Sequence, residues 1–254
     1  MFKVDIIPCL SDNYSYLIYD TKKNIVGIID PSEAAAVDKI ITKKYNKLDF
    51  IFNTHHHFDH VGGNKELKQK YNSKIIGSEI DKERIPEIDI LLNDKDIFLF
   101  GNTYFEIILV PGHTKGHIAF YSKKEKVLFT GDTLFSLGCG RVFEGTYQQM
   151  LESLNKIKNL PKQTSIYCGH EYTKKNLDFC LKFELDNPFL KDKKKSVNSK
   201  IEKKEPTIPV TIEEELNTNI FLRCDVPSVK KSLGMETSSE LEIFKKLRDL
   251  KDSF

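Results

Sequence analysis

What the sequence lacks sets its first limits. No stretch of the 254 residues stays apolar over the ~20 positions that a helix needs to cross a bilayer, so no membrane partner is expected. Charge of one sign is missing as well, with 39 Lys and Arg against 37 Asp and Glu, and a formal net charge of +2 gives no footing for a nucleic-acid partner. Cysteine is sparse. Cys9, Cys139, Cys168, Cys180 and Cys224 form an odd, widely spaced set without a CxxC pair, which fits a reducing compartment best. The opening MFKVDIIPCL enters a strand-like pattern at once, without a basic n-region, a long apolar h-region or an Arg/Ser-rich presequence. A cytoplasmic location is therefore expected. What is present is core material: 39% hydrophobic and 30% charged residues describe a folded chain, and the length allows one large or two small domains.

Histidine is also scarce, at seven, and its distribution is informative. Four of the seven fall in THHHFDHVGGN, residues 54–64, directly after the apolar run Phe50–Phe52 and before a helical stretch, Lys65–Tyr71. In the extended part of such a turn side chains alternate in direction, so His55 and His57 face one way and His56 the other, while Asp59 and His60 lie side by side where the helix starts. A lone HxH is a common surface coincidence. The longer HxHxDH between a buried strand and a pair of glycines gathers imidazoles and a carboxylate suited to divalent zinc, iron or manganese. Other strand-like runs end on the same chemistry: Phe105–Val110 before His113, Val127–Thr130 before Asp132, and Thr164–Cys168 before His170. Open α/β sheets gather their sites at strand ends. His117, just before the strand pattern Ile118–Tyr121, reads as a structural hydrogen-bonding residue. Asp30, at the end of a strand before Pro31, reads either as an acceptor for a ligating imidazole or as a carboxylate where a helix begins.

Taken in order, Val4–Ile7, Tyr14–Tyr19 and Ile25–Ile29 read as antiparallel strands, and Ser32 as the N-cap of a helix over Glu33–Tyr45. Ile75–Ile76 forms a short strand. Asp94–Phe100 and Thr103–Val110 make a hairpin around Gly101 and Asn102, and Ile118–Ser122 with Val127–Thr130 makes a second. Gln148–Ile157 is helical by pattern. Beyond His170 the strand signals fade and helical spacing takes over, which suggests domains at 1–172 and 173–254. The lysine-rich segment 191–205 reads as a solvated helix face, since no aromatic interrupts it for base stacking. Thr211 with Glu214 has the form of a capping box, and Thr237–Leu250 reads as a last amphipathic helix.

With these motifs in place, the chain resembles the metallo-β-lactamase superfamily and, within it, the glyoxalase II (hydroxyacylglutathione hydrolase) family. THHHFDHVGGN, PGHTKGH, FTGDTLF, GCGR, EGT, CGHEYT and RDLKDSF match that family's landmarks in order and over most of the chain. The resemblance implies an αββα sandwich of two mixed sheets with a small helical C-terminal domain, a catalytic domain over 1–172 and a glutathione-binding domain over 173–254. It implies two divalent ions, zinc foremost with iron or manganese as alternatives, held by His55, His57 and His113 on one side, by Asp59, His60 and His170 on the other, and bridged by Asp132. Such a pair lets a shared water ionise near neutral pH, so that cleavage of an S-(2-hydroxyacyl)glutathione thioester, chiefly S-D-lactoylglutathione, needs no Ser or Cys nucleophile. Asp59 and Asp132 carry the catalytic roles, Asp59 by orienting the nucleophile. A monomer or weak homodimer is expected.

For the substrate, the resemblance implies contacts from Arg141, Phe143, Tyr172, Arg248 and Lys251, the last two binding the glycine carboxylate from one helix face. On this basis Arg248→Ala and Lys251→Ala are expected to raise KM for the glutathione thioester at low ionic strength, with a smaller effect on kcat and none on metal content. Tyr172 reads equally as a packing residue between domains. The chain departs from the family where many members carry a lysine and then a tyrosine after GCG. Arg141 keeps the charge with a different geometry, and Phe143 lacks the hydroxyl. Asn219, Ile220 and Phe221 replace the family's NPF. Cys139 and Cys168 read as packed residues. Rival readings are a persulfide dioxygenase, an RNA phosphodiesterase of the same superfamily, or a binding protein on a former enzyme scaffold.

Overall fold

β-Branched and aromatic residues build three antiparallel strands at the start of the chain, β1 (Phe2–Cys9), β2 (Asn13–Asp20) and β3 (Ile25–Ile29). The sheet then continues in parallel through β4 (Phe50–Phe52), β5 (Lys74–Ser78) and β6 (Ile90–Leu92). Parallel neighbours need a crossover, supplied by α1 (Ala34–Lys44) before β4, and by α2 (Phe58–Val61) and α3 (Asn64–Tyr71) before β5. The four strands β7 (Ile97–Phe100), β8 (Thr103–Leu109), β9 (Ile118–Ser122) and β10 (Val127–Gly131) pair antiparallel in sequence order. In this computed structural model, which describes residues 1–254, these elements form one unit, Met1–Leu109 with Lys115–Gly131.

Aromatic edges fill the space between the two sheets of this unit. Phe50 meets Phe98 at 5.3 Å, Phe52 meets Phe120 at 5.4 Å and Tyr16 meets Phe129 at 5.5 Å between ring centroids. On the other face of the first sheet, Val37 and Ile41 of α1 and Leu67 of α3 pack against Ile28, Ile51 and Ile75. The sheet is thus covered on both sides, which is why β3, β4 and β5 read as unbroken apolar runs.

The second unit comprises Val110–Thr114 and Asp132–Phe254. It holds a two-residue ladder, β11 (Leu134–Phe135) with β12 (Gly138–Cys139), then α4 (Tyr147–Lys158) and β13 (Ser165–Cys168). Helices α5 (Thr173–Phe183) and α6 (Pro188–Glu202) follow, then β14 (Val210–Thr211), which pairs antiparallel with β13. The chain finishes with α7 (Ile212–Thr218), α8 (Pro227–Ser232) and α9 (Glu240–Asp252). Capping boxes start α4 (Thr146 with Gln149), α7 (Thr211 with Glu214) and α9 (Ser239 with Glu242).

This unit begins well before the change in composition at residue 173, because the helices grip the β11–β12 turn. Asn176 Nδ2 donates to the Ser136 carbonyl (3.0 Å), the Leu137 amide donates to the buried Glu215 carboxylate (2.7 Å), and Asn219 Nδ2 donates to the Gly138 carbonyl (3.0 Å).

Three local readings change. Ser32 is not an N-cap: α1 starts after Glu33, which makes no side-chain cap bond, and the Ser32 amide instead donates to Ser15 Oγ (3.2 Å) in the buried strand end. Strand β6 and the β11–β12 ladder were not expected. The lysine segment behaves as anticipated, with Lys191, Lys194, Lys195, Lys203 and Lys204 exposed on or just after α6.

Phe105 is fully buried and its ring meets those of Phe2, Phe52, Phe120 and Phe129. Phe105→Ala should cost roughly 3–5 kcal/mol of unfolding free energy, read from the shift in urea midpoint.

Candidate metal centre

In the first unit, β4 delivers the chain into an extended turn that separates its histidines by direction. His55 Nε2 and His57 Nδ1 stand 3.1 Å apart, whereas His56 turns away, with Nδ1 3.2 Å from Asp81 Oδ2 and Nε2 3.3 Å from Arg84 Nη1. α2 then begins with His57 as its N-cap and places Asp59 Oδ2 3.5 Å from His60 Nε2. Asn13, unmarked in the sequence, holds Asp59 by donating Nδ2 to Oδ2 (2.9 Å) and to the backbone carbonyl (3.1 Å).

Asp30 resolves to the first of its two readings. Its backbone takes a left-handed turn, φ +48°, and its buried carboxylate accepts from the Thr54 amide (2.8 Å), the Thr54 hydroxyl (2.7 Å) and His60 Nδ1 (3.0 Å). A carboxylate only accepts, so the Thr54 proton points at Asp30, and Thr54 Oγ1 is left to accept from His55 Nδ1 at 3.0 Å. Both imidazoles therefore carry their proton on Nδ1 and their lone pair on Nε2, the arrangement a metal ligand needs. His117 is buried and stacks on His55, ring centroids 4.6 Å apart at 18°. Gly131, φ +47°, makes room for this stack, since a Cβ there would lie 2.8 Å from the His117 ring and 2.4 Å from Thr54 Oγ1.

The second unit fixes its donors differently. His113 Nδ1 donates to the Arg141 backbone carbonyl (2.9 Å), which again leaves the lone pair on Nε2. Asp132 Oδ2 lies 3.5 Å from His113 Nε2 and 3.3 Å from His170 Nε2, so one carboxylate oxygen faces two imidazole nitrogens. The backbone of the β12 turn presses on this residue, because a Cβ on Gly140 would sit 1.9 Å from the Asp132 carbonyl oxygen. His170 stacks on Tyr172, 4.7 Å apart and nearly parallel at 4°.

The Nε2 atoms of His60, His113 and His170 face carboxylate oxygens, and the far nitrogens of His55, His60 and His113 are tied to Thr54, Asp30 and a carbonyl, a borderline-hard N/O donor set of the type that binds divalent ions. The expected ligands fall in two groups: His55, His57, Asp59 and His60 in the first unit, His113, Asp132 and His170 in the second. No cysteine competes as nucleophile. All five are buried, and burial pushes the thiol of Cys139 up to about 11 and that of Cys168 to about 12.

The residues expected to meet substrate all lie in the second unit. Arg141 is exposed, its Nε 3.4 Å from Asp252 Oδ1, and Phe143 is 60% exposed with its ring 5.1 Å from that of His113. Arg248 has a structural role that its sequence position does not reveal. It is 3% exposed, and Nη1 donates to the Cys139 carbonyl (2.8 Å) while the guanidinium stacks over Phe221. Truncating it would strand a buried carbonyl as well as remove a charge. Lys251 donates to the Lys175 carbonyl (3.2 Å), and burial together with the Arg248 charge lowers its pKa to about 8.

Asp30→Asn should lower metal affinity roughly 10- to 100-fold through loss of the anionic acceptor behind His60, measured by chelator competition. His56→Ala should retain the metal content of the unaltered protein, as His56 points to Asp81.

Comparison with known proteins agrees with these features. The family described as "Hydroxyacylglutathione hydrolase C-terminus" matches residues 171–254, and the metallo-beta-lactamase superfamily matches 10–170. A hydroxyacylglutathione hydrolase of Pelagibacter ubique (strain HTCC1062) is 57% identical over 252 residues, 99% of this chain and 100% of that protein. One from Rhodopseudomonas palustris (strain BisB5) is 43% identical over 98% of both chains. Among solved structures, BLEG-1 B3 metallo-beta-lactamase aligns with a TM-score of 0.66 at 24% identity, covering 87% of this chain and 99% of that one. ETHE1 from Myxococcus xanthus aligns at 0.69 and 22%, covering 98% and 91%. The expected fold is thus the fold found, and the chain belongs to the hydroxyacylglutathione hydrolase family of the metallo-beta-lactamase superfamily.

Proposed function

We propose that this protein hydrolyses S-(2-hydroxyacyl)glutathione, chiefly S-D-lactoylglutathione, to glutathione and a 2-hydroxy acid, the thioesterase step of methylglyoxal detoxification. The observation that carries the reading is the donor set itself. Seven N/O donors stand in two groups, with the tautomers of His55, His60 and His113 fixed by their neighbours, in a chain 57% identical to a hydroxyacylglutathione hydrolase over nearly its whole length. In this reading His55, His57 and His113 would hold one ion and Asp59, His60 and His170 a second, with Asp132 available to both and zinc the proposed metal. When bound, such ions would acidify a water and polarise the thioester carbonyl.

The protein's own groups do the rest. Asp59, tethered through both its carboxylate and its carbonyl to Asn13, orients the attacking water and accepts its hydrogen bond. Asp30 and Thr54 keep His60 and His55 from rotating. Arg141, Arg248 and Lys251 take the glycine carboxylate of glutathione, Phe143 lies beside its backbone, and Tyr172, stacked on His170, lines the approach. Functionally we divide the chain into a metal-holding domain, 1–172, and a glutathione-binding domain, 173–254, a division the two family matches support. No helix is long and apolar enough to cross a membrane. We propose a cytoplasmic monomer or weak homodimer that binds no nucleic acid.

The test follows thioester loss from S-D-lactoylglutathione and from a glutathione-free thioester, with metal quantified on the same sample. The proposal requires a metal pair and preference for the glutathione thioester; one iron per chain with oxygen consumption would establish a dioxygenase instead. His57→Ala and Asp132→Ala should abolish turnover, and retained turnover with normal metal content would sink the two-metal reading.

The depressed Lys251 pKa adds a pH signature. Below about 8 Lys251 is cationic and assists carboxylate binding, and above it the charge is lost. KM for the glutathione thioester should therefore rise as pH passes upward through 8, and Lys251→Met should flatten that rise. Stability carries the opposite sign. The folded protein disfavours the charged lysine relative to the unfolded chain, a penalty present below about 8 and relieved between there and the ordinary lysine value of 10.5.

A further inference from the structure

A single carboxylate already occupies the cationic cluster that this reading assigns to the substrate's carboxylate. Asp252 Oδ1 accepts from Arg248 Nη2 at 2.9 Å and lies 3.4 Å from Arg141 Nε, with the neighbouring Lys251 ammonium electrostatically coupled to Arg248. Asp252 is the last residue of α9, where the helix dipole disfavours an anion. Its location runs against the local helix preference, and the two arginines supply the compensating attraction. The guanidiniums differ in freedom. Arg248 is fixed by the Cys139 carbonyl and the Phe221 ring, whereas the Arg141 side chain is 59% exposed and that of Asp252 38%. The carboxylate can therefore be displaced from Arg141 without disturbing the buried anchor.

We infer that Asp252 is an internal competitor for the glycine-carboxylate subsite, a specificity-determining residue that occupies the arginine pair until a ligand with further contacts displaces it. This rests on the proposed glutathione-thioesterase reading. A small monocarboxylate offers only its charge and does not overcome the resident one, while a glutathione conjugate brings its whole peptide to the exchange. Asp252 thereby weakens binding of the substrate modestly and binding of bare anions more.

The experiment compares the full-length protein with Asp252→Asn, which keeps the acceptor oxygen toward Arg248 and removes the charge, and with Asp186→Asn, an equal charge change at an exposed site. Binding of S-methylglutathione is measured by calorimetry, KM and kcat with S-D-lactoylglutathione and with its glycine-carboxamide analogue, and inhibition with acetate. The expected result for Asp252→Asn is a roughly two- to fivefold fall in both Kd and KM, the span of partly exposed ion pairs. No such fall should occur on the carboxamide, and acetate should inhibit the variant where the unaltered protein resists. Asp186→Asn should behave like the unaltered protein. A rise in KM for Asp252→Asn would make Asp252 a clamp that positions the arginines, and unchanged constants, or an equal fall on the carboxamide, would also overturn the inference. An Asp252→Ala variant with an unchanged melting temperature but weaker S-methylglutathione binding would overturn it too. Failure of the unaltered protein to cleave the thioester overturns the functional reading, whereas cleavage with Asp252-independent binding overturns the role of Asp252 alone.

Discussion

The donor-bearing turn of the first unit depends on one carboxylate in an uncommon backbone position. Left-handed φ costs on the order of 1–2 kcal/mol for a residue with a Cβ, and Asp30 adopts it directly before Pro31. In return the carboxylate accepts from an amide, a hydroxyl and an imidazole. Hydrogen bonds to a charged group contribute about 1.5–3 kcal/mol each, so three of them outweigh the backbone strain. The effect reaches further than stability. One buried negative charge sets the proton positions of two rings at once, directly for His60 and through Thr54 for His55.

The second unit reaches the same chemical end with neutral groups. A backbone carbonyl, that of Arg141, orients His113, and a stacked tyrosine backs His170. The difference follows from what surrounds each half. The first lies at the ends of buried parallel strands, where a charge can be fully hydrogen-bonded. The second is shaped by a short β turn whose carbonyls and amides are gripped by α5, α7 and the Asn219 side chain.

Much of this was legible in the sequence because the relevant residue types are rare and fall at strand ends. With so few histidines, THHHFDHVGGN and the strand termini before His113, Asp132 and His170 stood out, and the alternation of His55, His56 and His57 followed from extended backbone alone. The supporting residues were hidden by distance along the chain. Asn13 lies 46 residues from Asp59 and sits in what reads as an ordinary polar turn. Asp81 and Arg84, which hold His56, belong to a charged stretch with no pattern. Arg248 shows its helical spacing with Lys251 but not its burial, because the carbonyl it holds is 109 residues away. Strands as short as β6, β11 and β12 carry too few residues to display a period.

The sequestration of every cysteine has a consequence for life beside the proposed product. Thiol–disulfide exchange begins with a thiolate that a partner can reach, and here each sulfur is buried, with the thiols of Cys139, Cys168 and Cys180 pushed to about 11 or 12. A protein releasing glutathione thiol at its own surface would meet oxidised glutathione there too. With every thiol buried and protonated, direct exchange with oxidised glutathione has no accessible thiolate from which to start.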